Sequence, residues 1–172
     1  ASDVYKRQDL ELLTAEKIPD DCNILMINGP TSDLADNEKK IVLDYLKAGG
    51  NAIINLSYTT EKMTNLEEVL EYYGIQSKQG IICETSGKYY YYPNFIVPEL
   101  GTDASEMLGD LQGYIIMPNA VGMNVMSEIR SSLTMKQLLK TSDSSYLKVD
   151  PSSGSSENCL LYTSDAADEA RS

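Results

Sequence analysis

Asn23-Ile24-Leu25-Met26-Ile27-Asn28-Gly29-Pro30 decides the fold reading of this chain. A short continuous apolar run closed by Gly-Pro fits a strand buried on both faces, the pattern of a parallel sheet covered by helices. Downstream, Ser32 or Asp33 can cap a turn. Ile41, Val42, Tyr45 and Leu46 then recur at helical spacing between about Asp36 and Ala48, with acids early and Lys47 late. Gly49-Gly50 stops that helix, because glycine takes the left-handed conformation without a Cβ penalty. Asn51-Ala52-Ile53-Ile54-Asn55-Leu56 repeats the buried-strand pattern. Asn65 stands where it would cap a helix over Leu66–Tyr73, stopped by Gly74, and Gly80-Ile81-Ile82-Cys83 reads as a third strand. Upstream, Leu10-Glu11-Leu12-Leu13 reads as a strand leading through Ile18-Pro19-Asp20-Asp21 into the first clear one.

Strand, helix, strand, helix, strand with short connections predicts an α/β fold. The expected architecture is a three-layer sandwich with a mostly parallel sheet, flavodoxin-like and truncated. Beyond residue 84 the regularity fades. Ser105–Leu111 could form a short helix, Tyr114–Pro118 and Gly122–Val125 short strands, and Thr141–Asp150 a polar segment with one strand. Pro151–Ser156 is rich in Pro, Ser and Gly and reads as a linker.

The 172 residues suit one domain of ordinary size. A formal charge of −12 argues against nucleic acid or an anionic membrane as partner, since both need Lys and Arg to displace counterions. The complete lack of histidine excludes Ser-His-Asp and Cys-His catalysis and histidine-ligated metals within the chain. No stretch approaches the roughly 20 apolar residues of a membrane span.

The two ends carry an unusual signal. Ala1–Gln8 back-translates as GCG TCA GAT GTG TAT AAG AGA CAG. The reverse complement, read one base out of frame, encodes Cys159-Leu160-Leu161-Tyr162-Thr163-Ser164-Asp165. The pair resembles a transposon sequencing adapter, so 1–8 and 159–172 are read as adapter-derived. That leaves 9–150 as an incomplete α/β domain and 151–158 as a linker, with any membrane anchor missing. Setting aside Lys6, Arg7 and Arg171 together with Asp3, Asp165, Asp168 and Glu169 changes the charge only from −12 to −11. The remaining Cys22 and Cys83 flank apolar runs and read as buried or half-buried free thiols.

Chemical constellations are sparse. Gly29, Pro30, Thr31 and Ser32 lie beyond the carboxyl end of a strand, where open α/β sheets bind ligands. They match neither phosphate-binding glycine pattern, and Pro30 lacks a backbone donor. Ser57, Tyr58 and Thr59 occupy the corresponding place after the second strand. Ser57 is the sole candidate nucleophile, with Lys62 or Lys47 as conceivable base, but no G-x-S-x-G surrounds it. Asp33, Asp36, Asn37 and Glu38 imitate a calcium loop without its spacing, and a negatively biased helix start explains them as well. Tyr89, Tyr90, Tyr91 and Tyr92 could bind an envelope glycan or a protein, although an alternating strand with two of the rings buried explains them too. Met117, Met123 and Met126 read as core or near-core residues.

Ile18-Pro19-Asp20-Asp21, Ile24–Pro30, Leu43-Asp44-Tyr45-Leu46-Lys47-Ala48-Gly49-Gly50, Tyr73-Gly74-Ile75 and Thr141–Tyr146, in this order, resemble the Gldg-type auxiliary proteins of an uncharacterised ABC transport system. The resemblance implies a fold like that of class I glutamine amidotransferases, held outside the cytoplasm by transmembrane helices. It further implies an accessory, gliding-motility-like role beside the permease and ATPase subunits of an ABC transporter, with no established catalytic reaction; no cofactor is expected. In active amidotransferases a cysteine follows the strand after the Gly-Gly helix end. Here Asn55-Leu56-Ser57-Tyr58 stands there, in keeping with the missing triad.

Overall fold

The computed structural model describes residues 6–85, 87–101, 103, 104, 109, 113–151 and 159–161. Along the chain run β1 (Ile24–Asn28), α1 (Asp36–Lys47), β2 (Asn51–Asn55), α2 (Thr64–Tyr72), β3 (Ile75–Ser77), β4 (Ile81–Glu84) and β5 (Phe95–Ile96). There follow β6 (Glu99–Leu100), β7 (Met117–Pro118), β8 (Met123–Val125), β9 (Leu139–Lys140), β10 (Ser145–Lys148) and β11 (Cys159–Leu161). The chain divides into two units, Ala1–Asn55 with Glu61–Val69, and Leu56–Thr60 with Leu70–Ser172, so the boundary runs through α2.

The first unit carries the expected β-α-β order. β1 and β2 pair in parallel, with Ile24 opposite Asn51 and Asn28 opposite Asn55. α1 begins with Asp36 and Glu38 and ends with Lys47, a charge order that suits the helix dipole. Glu38 also reaches back to accept a hydrogen bond from the Ala35 N–H at 2.7 Å. Leu25, Val42, Val69 and Ile18 form the core, with Ile27, Ile41, Leu46 and Ala52 packed against them. Burial on β1 alternates: Leu25 points inward while Ile24 and Met26 remain exposed. The expectation of burial on both faces is therefore corrected. Leu10–Leu13 forms no strand either; the Thr14 N–H bonds the Glu11 carbonyl in a turn.

The two helix-stop glycines do different things. Gly49 has φ +95 and open space around a would-be Cβ, so it supplies the left-handed turn. At Gly50 an added Cβ would lie 2.4 Å from Cε1 and Cζ of the Tyr45 ring. That ring is pinned, because its hydroxyl donates to the carbonyls of Cys22 at 3.2 Å and Asn51 at 3.1 Å. Burial, and after it the neighbouring Cys22, pushes the Tyr45 phenol above its ordinary value of 10.0, so the donating form is the one the fold favours. Gly50→Ala is expected to destabilise by about 1–3 kcal/mol through overpacking. Gly49→Ala should cost about 1 kcal/mol through backbone strain alone. Urea titrations of both variants check the order; equal losses would show that Tyr45 swings aside freely.

The second unit overturns the three-layer reading. β4 does not join β1 and β2 in parallel. It pairs antiparallel with β10, Ser145 opposite Glu84 and Lys148 opposite Ile81, and β11 pairs antiparallel on the far side of β10. The remaining pairs, β3 with β8, β5 with β7 and β6 with β9, are antiparallel and two-stranded. Among the described residues there are two helices and mostly small antiparallel ladders, not a doubly covered parallel sandwich. The flavodoxin- or glutamine amidotransferase-like architecture is accordingly withdrawn.

The physical reason lies just after α2. Gly74 takes φ +76, and the chain enters β3 at once, where Ile75 pairs with Val125 instead of crossing back to β1. β4 is buried along its whole length, which is what its continuous apolar run required. Its other edge is closed by loops: the Ile82 N–H bonds the Ala120 carbonyl at 2.8 Å and the Glu84 N–H bonds the Pro93 carbonyl at 2.9 Å. Ile82, Ile96 and Leu147 form the local core. Of the methionines expected there, Met117 and Met123 are exposed, because each sits on a short two-stranded ladder with an open face, and Met126 is half-buried. Cys22 is half-buried and Cys83 buried, and neither forms a disulfide among the described residues. The predicted helix at 105–111 and the linker at 151–158 lie almost wholly outside the described residues.

Candidate functional site

In the first unit, the strand-end loop places Gly29 at φ +59, directly after β1. The Gly29 N–H donates to the Asn55 carbonyl at 2.8 Å, and the Asn55 side-chain amide donates to Asn28 Oδ1 at 3.0 Å. With that N–H engaged and Pro30 lacking one, the backbone donors that would cradle a phosphate here are reduced. Thr31 and Ser32 are exposed, while Gly29 and Pro30 are half-buried.

The acids beyond the loop have structural partners. Asp33 Oδ1 accepts from the N–H groups of Leu34 (2.9 Å) and Leu66 (3.0 Å), and Oδ2 accepts from the N–H of Asn65 at 2.8 Å. Asp33 thus caps α2 from a distant part of the chain, satisfying donors that no helix can satisfy internally. Asn65, expected as that cap, instead donates outward to the Leu34 carbonyl at 2.7 Å and to Asp36 Oδ1 at 3.2 Å. Lys39 bonds Glu68 at 2.6 Å, and this contact, ahead of any other, pushes the Lys39 ammonium above its ordinary value of 10.5. An open depression of about 770 Å³ lies nearby, lined by Lys17, Asp20, Lys40, Asp44, Tyr45 and Gly50. Both of its lysines are already paired, Lys17 with Asp20 at 2.6 Å and Lys40 with Asp44 at 2.5 Å.

Ser57, Tyr58 and Thr59 belong to the second unit. Ser57 is exposed, whereas Tyr58 and Thr59 are half-buried. The Tyr58 hydroxyl donates to the Val149 carbonyl at 3.3 Å. The structure therefore divides the seven predicted residues, Gly29–Ser32 in one unit and Ser57–Thr59 in the other.

A polar cluster in the second unit was not visible in the sequence. Glu84, 1% exposed, accepts from the Ser142 N–H through Oε1 at 3.0 Å and from the Ser142 hydroxyl through Oε2 at 2.6 Å. The Ser144 N–H donates to Ser142 Oγ at 3.2 Å, and the Thr85 hydroxyl donates to the Ser144 carbonyl at 2.9 Å. Across the ladder from Glu84 lies Ser145, whose buried hydroxyl has no hydrogen-bond partner among the described residues. The pairing joins positions 58 residues apart, and no local pattern reports such a contact. Chemically the cluster clamps the 141–146 segment onto β4. It brings no second acid or base to the carboxylate, and among the described residues no group of three His, Cys, Asp or Glu could hold a metal.

Tyr89–Tyr92 departs from the alternating-strand expectation. All four rings are exposed, Tyr89 at 36%, Tyr90 at 50%, Tyr91 at 78% and Tyr92 at 63%. Only Tyr89 makes a bridge, antiparallel to Ile96; the chain then turns back at once.

Comparison with known proteins places this geometry. A solved structure described as the mmIFT52 N-terminal domain is similar in fold, with a TM-score of 0.53 at 17% identity. The similarity covers 72% of this chain and 54% of that one, so the chain spans about half the length of that solved relative. No curated protein matches the chain. A family model described as ABC-type uncharacterized transport system matches residues 1–92. That match takes in more than half of the sequence, and the chain belongs to this auxiliary family of ABC-type transport.

Proposed function

We propose that the chain works as a non-catalytic binding and scaffolding module of an ABC-type transport complex, on the extracytoplasmic side of the membrane. The observation that carries this reading is the family match over residues 1–92. The chemistry supports it. The sequence offers no histidine, and Ser57 is exposed on a loop without the strained elbow that activates a serine. The partners in this reading are permease and ATPase subunits. Any ligand contacts in this reading lie on the strand-end loops, Gly29–Ser32 in the first unit and, separately, Ser57–Thr59 in the second. No helix among the described residues is long and apolar enough to cross a membrane. In this reading any anchor lies in sequence outside 9–150, with 1–8 and 159–172 read as adapter-derived and 151–158 as a linker.

The test begins with the uninterrupted gene. Co-expressed with the ATPase and permease subunits of an ABC transporter and solubilised in detergent, the full-length protein is expected to co-purify with the permease. Ser57→Ala should leave that association unchanged. A full-length chain that stays in the aqueous fraction, ignores the transporter subunits and loses a hydrolytic activity on Ser57→Ala would replace the reading with an enzyme.

A further inference from the structure

We propose that the Tyr89–Tyr92 turn is a docking surface for a protein partner that presents arginine side chains. The proposal goes beyond the transport reading, since it would hold in whatever complex the chain joins. Three observations carry it.

The first is a backbone that folding alone does not reward. Tyr91 has φ +64, and the Tyr92 N–H bonds the Tyr90 carbonyl at 2.8 Å. Together these define a γ-turn of the positive-φ kind, which is rare and strained, and a bulky residue at its centre is a marked outlier. Strain at a core residue can be offset by packing. Tyr91 is 78% exposed, and glycine or asparagine would occupy the same turn with less strain. Something outside the folded unit therefore favours an aromatic ring at this position.

The second is that the turn is held, not loose. The Tyr90 N–H bonds the Phe95 carbonyl at 2.8 Å, the Phe95 N–H bonds the Tyr92 carbonyl at 2.9 Å and the Val97 N–H bonds the Lys88 carbonyl at 2.9 Å. A Lys88–Glu99 ion pair flanks its base. Tyr90 and Tyr91 pack edge to face, with ring centres 4.4 Å apart, and Tyr92 leans on Phe95 at 5.9 Å. Tyrosines fixed in this way give contact area at little further entropic cost, which is why they dominate protein-recognition surfaces.

The third concerns the partner's chemistry. Aromatic faces attract guanidinium groups, and this molecule contains the pairing in its own fold. Arg130 lies 3.8 Å over the Tyr72 ring and 5.5 Å from that of Tyr73. It also donates to the Tyr72 hydroxyl at 2.9 Å and to the Tyr72 carbonyl at 3.0 Å. A formal charge of −12 draws cationic partners toward the chain. Bulk charge alone treats arginine and lysine alike, whereas stacking on tyrosine favours the planar guanidinium.

The experiment titrates the full chain, by calorimetry at about 0.15 M salt, with two blocked peptides of Gly-Arg-Gly and Gly-Lys-Gly repeats and with the neutral sugar chitotetraose. The arginine peptide is expected to bind at least about fivefold more tightly than the lysine peptide. Tyr91→Gly should bring that ratio close to one while raising the Tm by roughly 3–5 °C, because it relieves the turn. Tyr90→Ser, which leaves the γ-turn residue in place, should reduce the ratio without raising the Tm. Equal affinity for the two peptides, or a preference that survives both substitutions, would overturn the proposal. Saturable chitotetraose binding without peptide preference would overturn it too and make the turn a glycan site.

Discussion

Glu84→Ala is expected to destabilise the protein by about 2–4 kcal/mol, the larger of two losses predicted at buried or half-buried carboxylates. Glu84 is 1% exposed and is the acceptor for both the N–H and the hydroxyl of Ser142. Alanine would leave both donors facing a void, next to a Ser145 hydroxyl that already lacks a described partner. A buried donor without an acceptor costs more than a formed hydrogen bond gains. Hydrogen exchange should locate the damage in β4 and β10, whose amides lose protection first. Glu84→Gln keeps the volume and one carbonyl oxygen, and should recover about half of the loss. An alanine variant within about 0.5 kcal/mol of the parent would mean that Ser142 finds water instead, and that the cluster is not a clamp.

Asp33→Ala is the second large effect, at about 2–3 kcal/mol. Helix caps ordinarily contribute about 1 kcal/mol, but one carboxylate here serves three backbone N–H groups, those of Leu34, Asn65 and Leu66. Leu66 and Val69 lie directly beyond the capped end, at 2% and 0% exposure, so fraying of α2 would reach buried side chains. Asp33→Asn keeps one acceptor oxygen and should cost about 1 kcal/mol. Circular dichroism during urea unfolding checks both values. If Asn65→Ala proved the more damaging, the cap would belong to Asn65 and the assignment to Asp33 would fail.

These two carboxylates mark where sequence reading stops. β1, α1, β2 and α2 were legible, within a residue or two, from apolar spacing and from the stops at Gly29-Pro30, Gly49-Gly50 and Gly74. Such features depend on contacts within a turn of chain, where residue type and local sterics are sufficient. Even there the reading placed the cap of α2 at Asn65, because the side chain that does cap it, Asp33, comes from the loop before α1, 32 residues away.

The β4 run was read correctly as a buried strand and wrongly as a parallel neighbour of β1 and β2. Ile81-Ile82-Cys83-Glu84 carries the same pattern whether helices or loops and another strand cover it, so periodicity had no means to choose. The tyrosine run failed in the opposite direction. Alternation was assumed over Tyr89–Tyr92, and a γ-turn at Tyr91 turned all four rings outward.

The sequence by itself determined the β-α-β start, the helix stops, the acidic charge and the lack of any histidine-based chemistry. Each of these is a property of composition or of neighbouring residues. Only the tertiary structure decided that β4 pairs with β10, that Asp33 holds α2, that Glu84 holds Ser142 and that four tyrosines stand exposed on one turn. These are choices among distant segments with equivalent local patterns, and packing and hydrogen-bond closure between the segments, not local preference, select among them.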